Sequence, residues 1–428
     1  MYLYLYYIRD KLKEIFKKII LERQEWLKRV RLIKREISLE NEANYVITGL
    51  RRAGKSYFLY QLVQEKLKEE QYQQLLLINF EDERLLELSH GELHLLMEAY
   101  FELFELEPII FLDEIQNVQH WQKFVRRLAD EGRRVYVTGS NAEMLSNEIA
   151  TTLGGRFINK EILPLSFREF LIFNSIHFTQ KSKYTSERYK ILQAYEQYLK
   201  LGGFPELLHM MDKREFLSSV YQKLFYGDLI ARYKVSNVMM LKLMVKKLAE
   251  SVNNETSVNR IKNLIKSTGV SIGSNTLFDY LSYLESSYLI ASVSNFHNKF
   301  TEKETSKKYY FLDTGILGLF LTNQPTKLLE NQIYIELRRR GESTFFLKRK
   351  TEVDFYLPDK GVLIQVSYSI KNRETADREV KGLRSAMKEF GIVQGWIITY
   401  NETQEIEIQE GLIKVIPAWQ WLLDCDPR

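Results

Sequence analysis

Apolar and polar positions follow two different periods along the chain. Five short apolar runs, Tyr45–Thr48, Leu75–Asn79, Ile109–Leu112, Val135–Thr138 and Phe157–Ile162, are separated by stretches with helical spacing. Consecutive apolar residues mark strands buried on both faces. Strands that alternate with helices predict right-handed βαβ units and a parallel sheet. Ahead of them, Leu12, Ile15, Phe16, Ile19, Trp26, Val30 and Ile33 recur on helical spacing, which predicts an amphipathic helix. The run Tyr2-Leu3-Tyr4-Leu5-Tyr6-Tyr7-Ile8 that opens it is cut by Arg9 and Lys11, too early for a membrane span, and no small-residue cleavage site follows. A basic amphipathic helix suits a membrane or a phosphate backbone; packing on the chain's own sheet domain is the expectation here.

Beyond the alternating region the pattern turns helical, with Phe167, Phe170, Leu171, Leu192, Tyr195, Leu199 and Leu201, until Gly202-Gly203-Phe204-Pro205-Glu206 breaks it. Helices over Ser257–Ser267 and Thr276–Ser286, with Gly269 between them, precede apolar Tyr288-Leu289-Ile290. That order predicts a winged helix-turn-helix, with Phe296–Tyr310 as its wing. Past Leu328 come a helix bearing Glu336, then strands at Thr344–Leu347, Glu352-Val-Asp-Phe-Tyr-Leu, Gly361-Val-Leu-Ile-Gln-Val-Ser and Trp396–Thr399. The expected divisions are a basic helical extension (1–36), an α/β sheet domain (37–164), a helical lid (165–236), a winged helix (237–310) and a last α/β domain (311–428).

The first strand runs into Gly49-Leu50-Arg51-Arg52-Ala53-Gly54-Lys55-Ser56-Tyr57, the pattern G-x-x-x-x-G-K-S between a strand and a helix. Its glycines permit a tight turn whose N–H groups, with the following helix N-terminus, cradle phosphates. Lys55 then reaches the β and γ oxygens and the Ser56 hydroxyl ligates Mg²⁺. The third strand ends in Asp113 and Glu114. Buried-edge carboxylates need a cation, so Asp113 is expected to hold the Mg²⁺ shell and Glu114 to polarise the attacking water. The fourth strand leads to Ser140 and Asn141, placed to touch the γ-phosphate or its water. Arg156, after Gly154-Gly155, is a candidate arginine finger, because spreading transition-state charge calls for a guanidinium; Arg51 and Arg52 could substitute.

Charge and composition narrow the picture. The net charge of +5 is concentrated at the start: residues 1–36 hold 11 Lys/Arg against 5 Asp/Glu, leaving 50 against 51 for the remainder. The body is neutral, so bulk charge gives no warrant for tight nucleic-acid binding. The single cysteine, Cys425, cannot form an internal disulfide, which makes a reducing cytoplasm the expected setting. His90 and His94 have i,i+4 spacing without a third ligand, the pattern of a solvent-facing helical pair. The second helix of the winged unit carries Asp279 and Glu285 but no Lys or Arg, favouring a protein contact, whereas Lys299, Lys303, Lys307 and Lys308 of the wing keep DNA open.

Glu336 on a helix and Asp354 on a hairpin have the layout of a restriction-endonuclease metal site, whose next strand should read Glu-x-Lys. Here it reads Gln365-Val366-Ser367. Gln365 is neutral and Ser367 cannot supply a lysine's charge, so a nuclease-like fold without robust nuclease activity is expected.

Taken together, Ile47-Thr-Gly-Leu-Arg-Arg-Ala-Gly-Lys-Ser, Phe111-Leu-Asp-Glu-Ile-Gln, Val137-Thr-Gly-Ser-Asn, Gly154-Gly-Arg-Phe, Pro164-Leu-Ser-Phe-Arg-Glu-Phe-Leu, Gly202-Gly-Phe-Pro-Glu, Lys308-Tyr-Tyr-Phe-Leu-Asp-Thr-Gly, Leu329-Glu-Asn and Glu352-Val-Asp-Phe resemble a family of bacterial and archaeal ATP-binding proteins. Its members have an AAA+-type P-loop domain, a helical and winged-helix region and a restriction-endonuclease-like domain of unknown function. The resemblance implies a P-loop sheet of order 5-1-4-3-2 and ATP binding and hydrolysis with Mg²⁺. Many relatives look like Glu-Val-Lys where this chain has Gln-Val-Ser, which puts an inherited nuclease role in doubt. The expected function is a cytoplasmic ATPase that repositions its C-terminal domains; the first alternative is an ATP-gated switch contacting DNA or protein with slow hydrolysis, the second an ATP-regulated metal-dependent nuclease, and a homo-oligomer is a further candidate.

Overall fold

The computed structural model describes residues 2–140, 151–267, 269 and 273–424, in two compact units, 1–162 and 163–428. The first unit is built on strands β1 (Asn44–Thr48), β2 (Leu75–Asn79), β3 (Ile109–Asp113), β4 (Val135–Thr138) and β5 (Phe157–Glu161). All pair in parallel, in the order β2-β3-β4-β1-β5, which read from the other edge is the expected 5-1-4-3-2. Helix α1 (Tyr2–Arg29) lays its apolar stripe on the sheet. Phe16, Ile19 and Ile20 share one core with Leu95, Leu96 and Tyr100 of the helix His94–Leu103 and with Ile110 and Leu112 of β3. At the rim of that contact Lys13 and Lys17 converge on Glu102, at 2.6 and 2.8 Å.

Strand register decides where the chemistry gathers. Asn79 lies level with Asp113, and Leu112 with Val137, so Thr138 stands level with Asp113. Ile47 also pairs with Thr138. The turn after β1 and the ends of β2, β3 and β4 therefore meet at one edge of the sheet, the C-terminal edge where parallel α/β sheets bind ligands.

In the second unit, the helix Glu187–Leu201 ends at Gly202, whose φ of 78° requires glycine. A Cβ there would lie 2.3 Å from the Asp313 carboxylate. Asp313 accepts the N–H of Gly203 at 2.9 Å and caps Ile316 at 3.0 Å, so the Gly-Gly-Phe-Pro turn is locked onto the turn that follows β8 (Ser306–Phe311). Burial pushes the Asp313 carboxyl up to about 6, against the backbone N–H bonds that favour its charge.

Helices Val238–Glu250, Val258–Lys266 and Ser274–Ser286 surround a small antiparallel sheet, β6 (Thr256–Ser257), β8 and β7 (Ile290–Ser294). The segment expected to form a β-wing holds a short helix, Phe300–Thr305, ahead of β8. Glu302 folds back to accept the Lys299 N–H at 3.2 Å, a capping interaction that starts a helix. The basic character expected there is largely absorbed. Lys307 pairs with Glu304 at 3.3 Å, Lys303 lies over the rings of Phe296 and Phe345, and Lys308 is fully buried.

The rest of this unit is a six-stranded mixed sheet of order β13-β14-β12-β11-β10-β9. Its strands are β9 (Phe345–Lys348), β10 (Glu352–Leu357), β11 (Val362–Val366), β12 (Gln394–Thr399), β13 (Gln404–Ile408) and β14 (Gly411–Pro417). The helix Pro325–Arg339 approaches β8: the Asn331 side chain accepts the Phe311 N–H and donates to its carbonyl, both at 2.8 Å.

Lys308 of β8 reaches across to three carboxylates, at 2.9 Å from Glu352, 3.1 Å from Asp354 and 3.4 Å from Glu330. Tyr310 donates to Glu330 at 2.7 Å, and the Val366 N–H donates to Asp354 at 2.9 Å. Burial and Asp354 push the Glu330 carboxyl well above the usual carboxylate range, even with Lys308 beside it. Removing the ammonium leaves facing carboxylates without a counter-charge, a change that typically costs about 3–5 kcal/mol. Chemical denaturation at neutral pH is expected to show a loss of that order for Lys308→Met, partly restored when Asp354→Asn is added. An equal loss in both variants would mean that Lys308 acts by packing alone.

Candidate functional site

At the end of β1 the chain enters the glycine-bracketed loop. Gly49 has φ 138°, and a Cβ there would fall 2.1 Å from the Ile162 carbonyl oxygen, while the Ile162 N–H donates to Thr48 at 2.8 Å. The loop thus rests directly on the backbone that leaves β5, and only glycine fits. Gly54, with φ 96°, starts helix α2 (Lys55–Lys66), whose first N–H groups have no partner within the helix and carry the positive end of its dipole. Arg35, buried in the segment before β1, donates from its side chain to the Ala53 carbonyl at 2.9 Å, while its backbone N–H donates to, and its carbonyl accepts from, the side-chain amide of Gln61. It braces the loop from behind.

Lys55 is buried and donates to the Gly49 and Leu50 carbonyls at 3.1 and 3.2 Å. Opposite it, fully buried Asp113 accepts from the Thr138 hydroxyl and, at 3.0 Å, from the Asn79 amide, and the Ser56 hydroxyl also bonds it. Burial and neighbouring Glu114 push the Asp113 carboxyl up to about 6, against the pull of Thr138, Ser56 and Lys55. For Glu114 the balance is reversed. Burial raises its carboxyl, but Lys55, Gln116, Ser140 and Arg51 together hold it below the usual range.

Glu114 adopts left-handed backbone (φ 52°), with its N–H on the Thr138 hydroxyl at 3.0 Å. Its carboxylate accepts from Ser140 at 2.8 Å and from Gln116. A strained non-glycine conformation of this kind costs of order 1–3 kcal/mol and persists only where the surroundings impose it. Lys55, Ser56, Asp113, Glu114 and Ser140 thus form one cluster of an ammonium, two carboxylates and two hydroxyls.

Other expected residues fall elsewhere. Asn141 lies outside the described residues, as does Cys425. Arg51 pairs with Glu81 at 3.1 Å, and Arg52 is exposed with φ 62°. Arg156 precedes β5 at the wrong end of the sheet for its expected role. Phe157 is level with Asn44, the first residue of β1, whereas the loop leaves after Thr48. A strand of this length separates them by about 16 Å, and the guanidinium is occupied by Asp130 at the end of the helix Trp121–Asp130. It is not a finger for this chain's own loop.

In the second unit Glu336 and Asp354 are not paired with each other. Glu336 binds Arg339 at 3.2 Å and Arg340 at 3.0 Å, which in turn reach the carbonyls of Pro164 and Trp421. Glu330 is the helix-borne carboxylate beside Asp354. Gln365 accepts the Asp354 N–H at 3.3 Å, and Ser367 donates to the Ser369 carbonyl at 3.1 Å. Sequence reasoning gave no site role to Asn79, Thr138, Arg35 or Glu330, and read Lys308 as a wing lysine. The first two carried a signal, being polar residues that end otherwise apolar strands.

Comparison with known proteins gives the site its context. Residues 41–171 match the AAA domain, and residues 192–327 match a domain of unknown function, DUF8612. The chain is 37% identical to the uncharacterized protein MJ1544 of Methanocaldococcus jannaschii over 96% of both chains. It is 30% identical to an uncharacterized protein of Haemophilus influenzae, over 88% of this chain and 94% of the other. Among solved structures it is similar to the Walker-type ATPase PABY2304 of Pyrococcus abyssi, with 17% identity and a TM-score of 0.46, over 69% of this chain and 99% of that one. With the loop and its facing acids inside the matched AAA region and the likeness to MJ1544 running nearly end to end, the chain belongs to the MJ1544 family of AAA-domain proteins.

Proposed function

We propose that the protein is an Mg²⁺-dependent AAA+-type ATPase whose turnover repositions its C-terminal region. The observation that carries this reading is the gathering of buried Lys55, Asp113 and Glu114 with half-buried Ser56 at the C-terminal edge of the sheet. Lys55 exchanges the Gly49 and Leu50 carbonyls for β- and γ-phosphate oxygens, which are stronger, charged acceptors. The Ser56 hydroxyl and the Asp113 carboxylate, already bonded to each other, are the hard oxygen donors that suit Mg²⁺ and are the residues that would hold it. When bound, Mg²⁺ supplies charge neutralisation between the β- and γ-phosphates. Glu114, kept ionised by Lys55 and oriented by Ser140 and Gln116, accepts a hydrogen bond from the attacking water and polarises it.

For the second unit, the order of helix, short strand, two helices and then two paired strands joined through the short helix Phe300–Thr305 over 238–311 supports a winged-helix reading. The mixed sheet with Glu330 and Asp354 together supports a nuclease-like fold. Lys308 fills the space between those carboxylates and no Glu-x-Lys follows, which argues against nuclease chemistry. The output is assigned to a protein contact rather than DNA, because Ser274–Ser286 carries no Lys or Arg and three of the four wing lysines are paired, stacked on rings or buried.

Two measurements test this. Lys55→Ala is expected to abolish binding of a fluorescent ATP analogue, and Glu114→Gln to bind ATP while phosphate release falls by about 10²-fold or more; normal turnover in Glu114→Gln would remove the assigned water-polarising role. Supercoiled plasmid incubated with the protein and Mg²⁺ or Mn²⁺ is expected to stay intact, and cleavage abolished by Asp354→Ala would restore the nuclease reading.

A further inference from the structure

The aromatic residue directly after the phosphate loop contributes little to the core. Tyr57 is 60% exposed, yet it stands on the first turn of α2, next to half-buried Ser56 and close to buried Lys55. It is also braced. Its ring meets Tyr60 edge-on with centroids 5.6 Å apart, and Tyr60 meets Trp26 of α1 at 4.9 Å. Tyr60 is only 7% exposed, so one side of the Tyr57 ring is held by a fixed neighbour while much of the ring remains open to solvent.

Long side chains on a helix slope toward its N-terminus and cover the preceding turn. For Tyr57 that turn contains Gly54 and Lys55. The inner end of the cradle is closed: Lys55 is 4% exposed, Asp113 is fully buried and Glu114 is 8% exposed. A polyphosphate anchored by that end must carry its other substituent outward, and the first turn of α2, which bears Tyr57, borders the loop it leaves.

We infer that Tyr57 is the stacking platform for the base of the bound nucleotide, with Tyr60 and Trp26 as its backing. This rests on the nucleotide reading given above and adds to it the means by which the base is held. A ring that offers its face reads the π-surface of a base and not its hydrogen-bonding edge, so the subsite takes purines as a class, adenine and guanine alike. The phosphates supply the anchor, and Tyr57 supplies the preference for a nucleotide over bare pyrophosphate.

The test compares Mg·ADP, Mg·GDP and Mg·pyrophosphate binding by calorimetry in the full chain and in Tyr57→Ala and Tyr57→Phe. Base stacking lost to alanine corresponds to about a tenfold weakening. That loss is expected for both nucleotides in Tyr57→Ala, with pyrophosphate affinity unchanged and Tyr57→Phe within about twofold of the parent. Unchanged nucleotide affinity in Tyr57→Ala would overturn the inference, as would an equal loss for pyrophosphate, which would assign Tyr57 to the shape of the loop. A loss confined to one of the two nucleotides would overturn the purine-class assignment. A parent protein that bound neither ADP nor pyrophosphate would instead overturn the nucleotide reading itself.

Discussion

Parallel pairing of β1, β3 and β4 is the constraint on which the first unit turns. It brings the turn after Thr48, the acids after Leu112 and the hydroxyl of Thr138 to one edge at one level, although long stretches of chain separate them. Once Asp113 and Glu114 are buried side by side there, the cluster needs opposing charge and donors. Lys55 supplies the charge, while Thr138, Asn79, Ser56 and Ser140 supply the hydrogen bonds. The different pulls on the two carboxylates follow from this arrangement. Asp113 sits among neutral donors with its proton affinity raised, and Glu114 sits closer to cationic influence with its proton affinity lowered.

Strands and loop were legible because their information is local. Four consecutive apolar residues before Asp113 can only be a buried strand, and a glycine-bracketed loop ending in Lys55-Ser56 between strand and helix has few other meanings. The roles of Thr138 and Asn79 depend on register across strands, which one-dimensional periodicity does not carry. Arg156 shows the same limit from the other side. Two glycines and an arginine suggest a chemistry, but the pairing of Phe157 with Asn44 decides which end of the sheet the guanidinium serves.

Glu330 and Glu336 make the point on a helix. They are six positions apart, which at 3.6 residues per turn sets them about 120° apart around the axis and nearly two turns apart along it, so they face different neighbours. One faces β8 and β10 and joins Lys308 and Asp354; the other faces Arg339 and Arg340. The strings Lys308-Tyr-Tyr-Phe, Leu329-Glu-Asn and Glu352-Val-Asp-Phe were each visible in the sequence, but only the fold shows that they describe a single charge cluster. Gly202-Gly203 and Asp313 are likewise two halves of one turn-to-turn contact.

The two buried lysines differ in a way that separates a ligand site from a structural one. Lys55 donates to backbone carbonyls of its own loop, neutral acceptors that a phosphate oxygen can displace because charge-assisted hydrogen bonds are about twice as strong. Lys308 faces the carboxyl groups of Glu330, Glu352 and Asp354, with Glu330 and Asp354 buried beside it. An incoming anion cannot outcompete those carboxylates, and withdrawing the ammonium would leave their charge without its nearest counter-ion. The same functional group is therefore exchangeable in one setting and fixed in the other. That contrast places ligand chemistry at the loop and makes the carboxylate cluster part of what holds the second unit together.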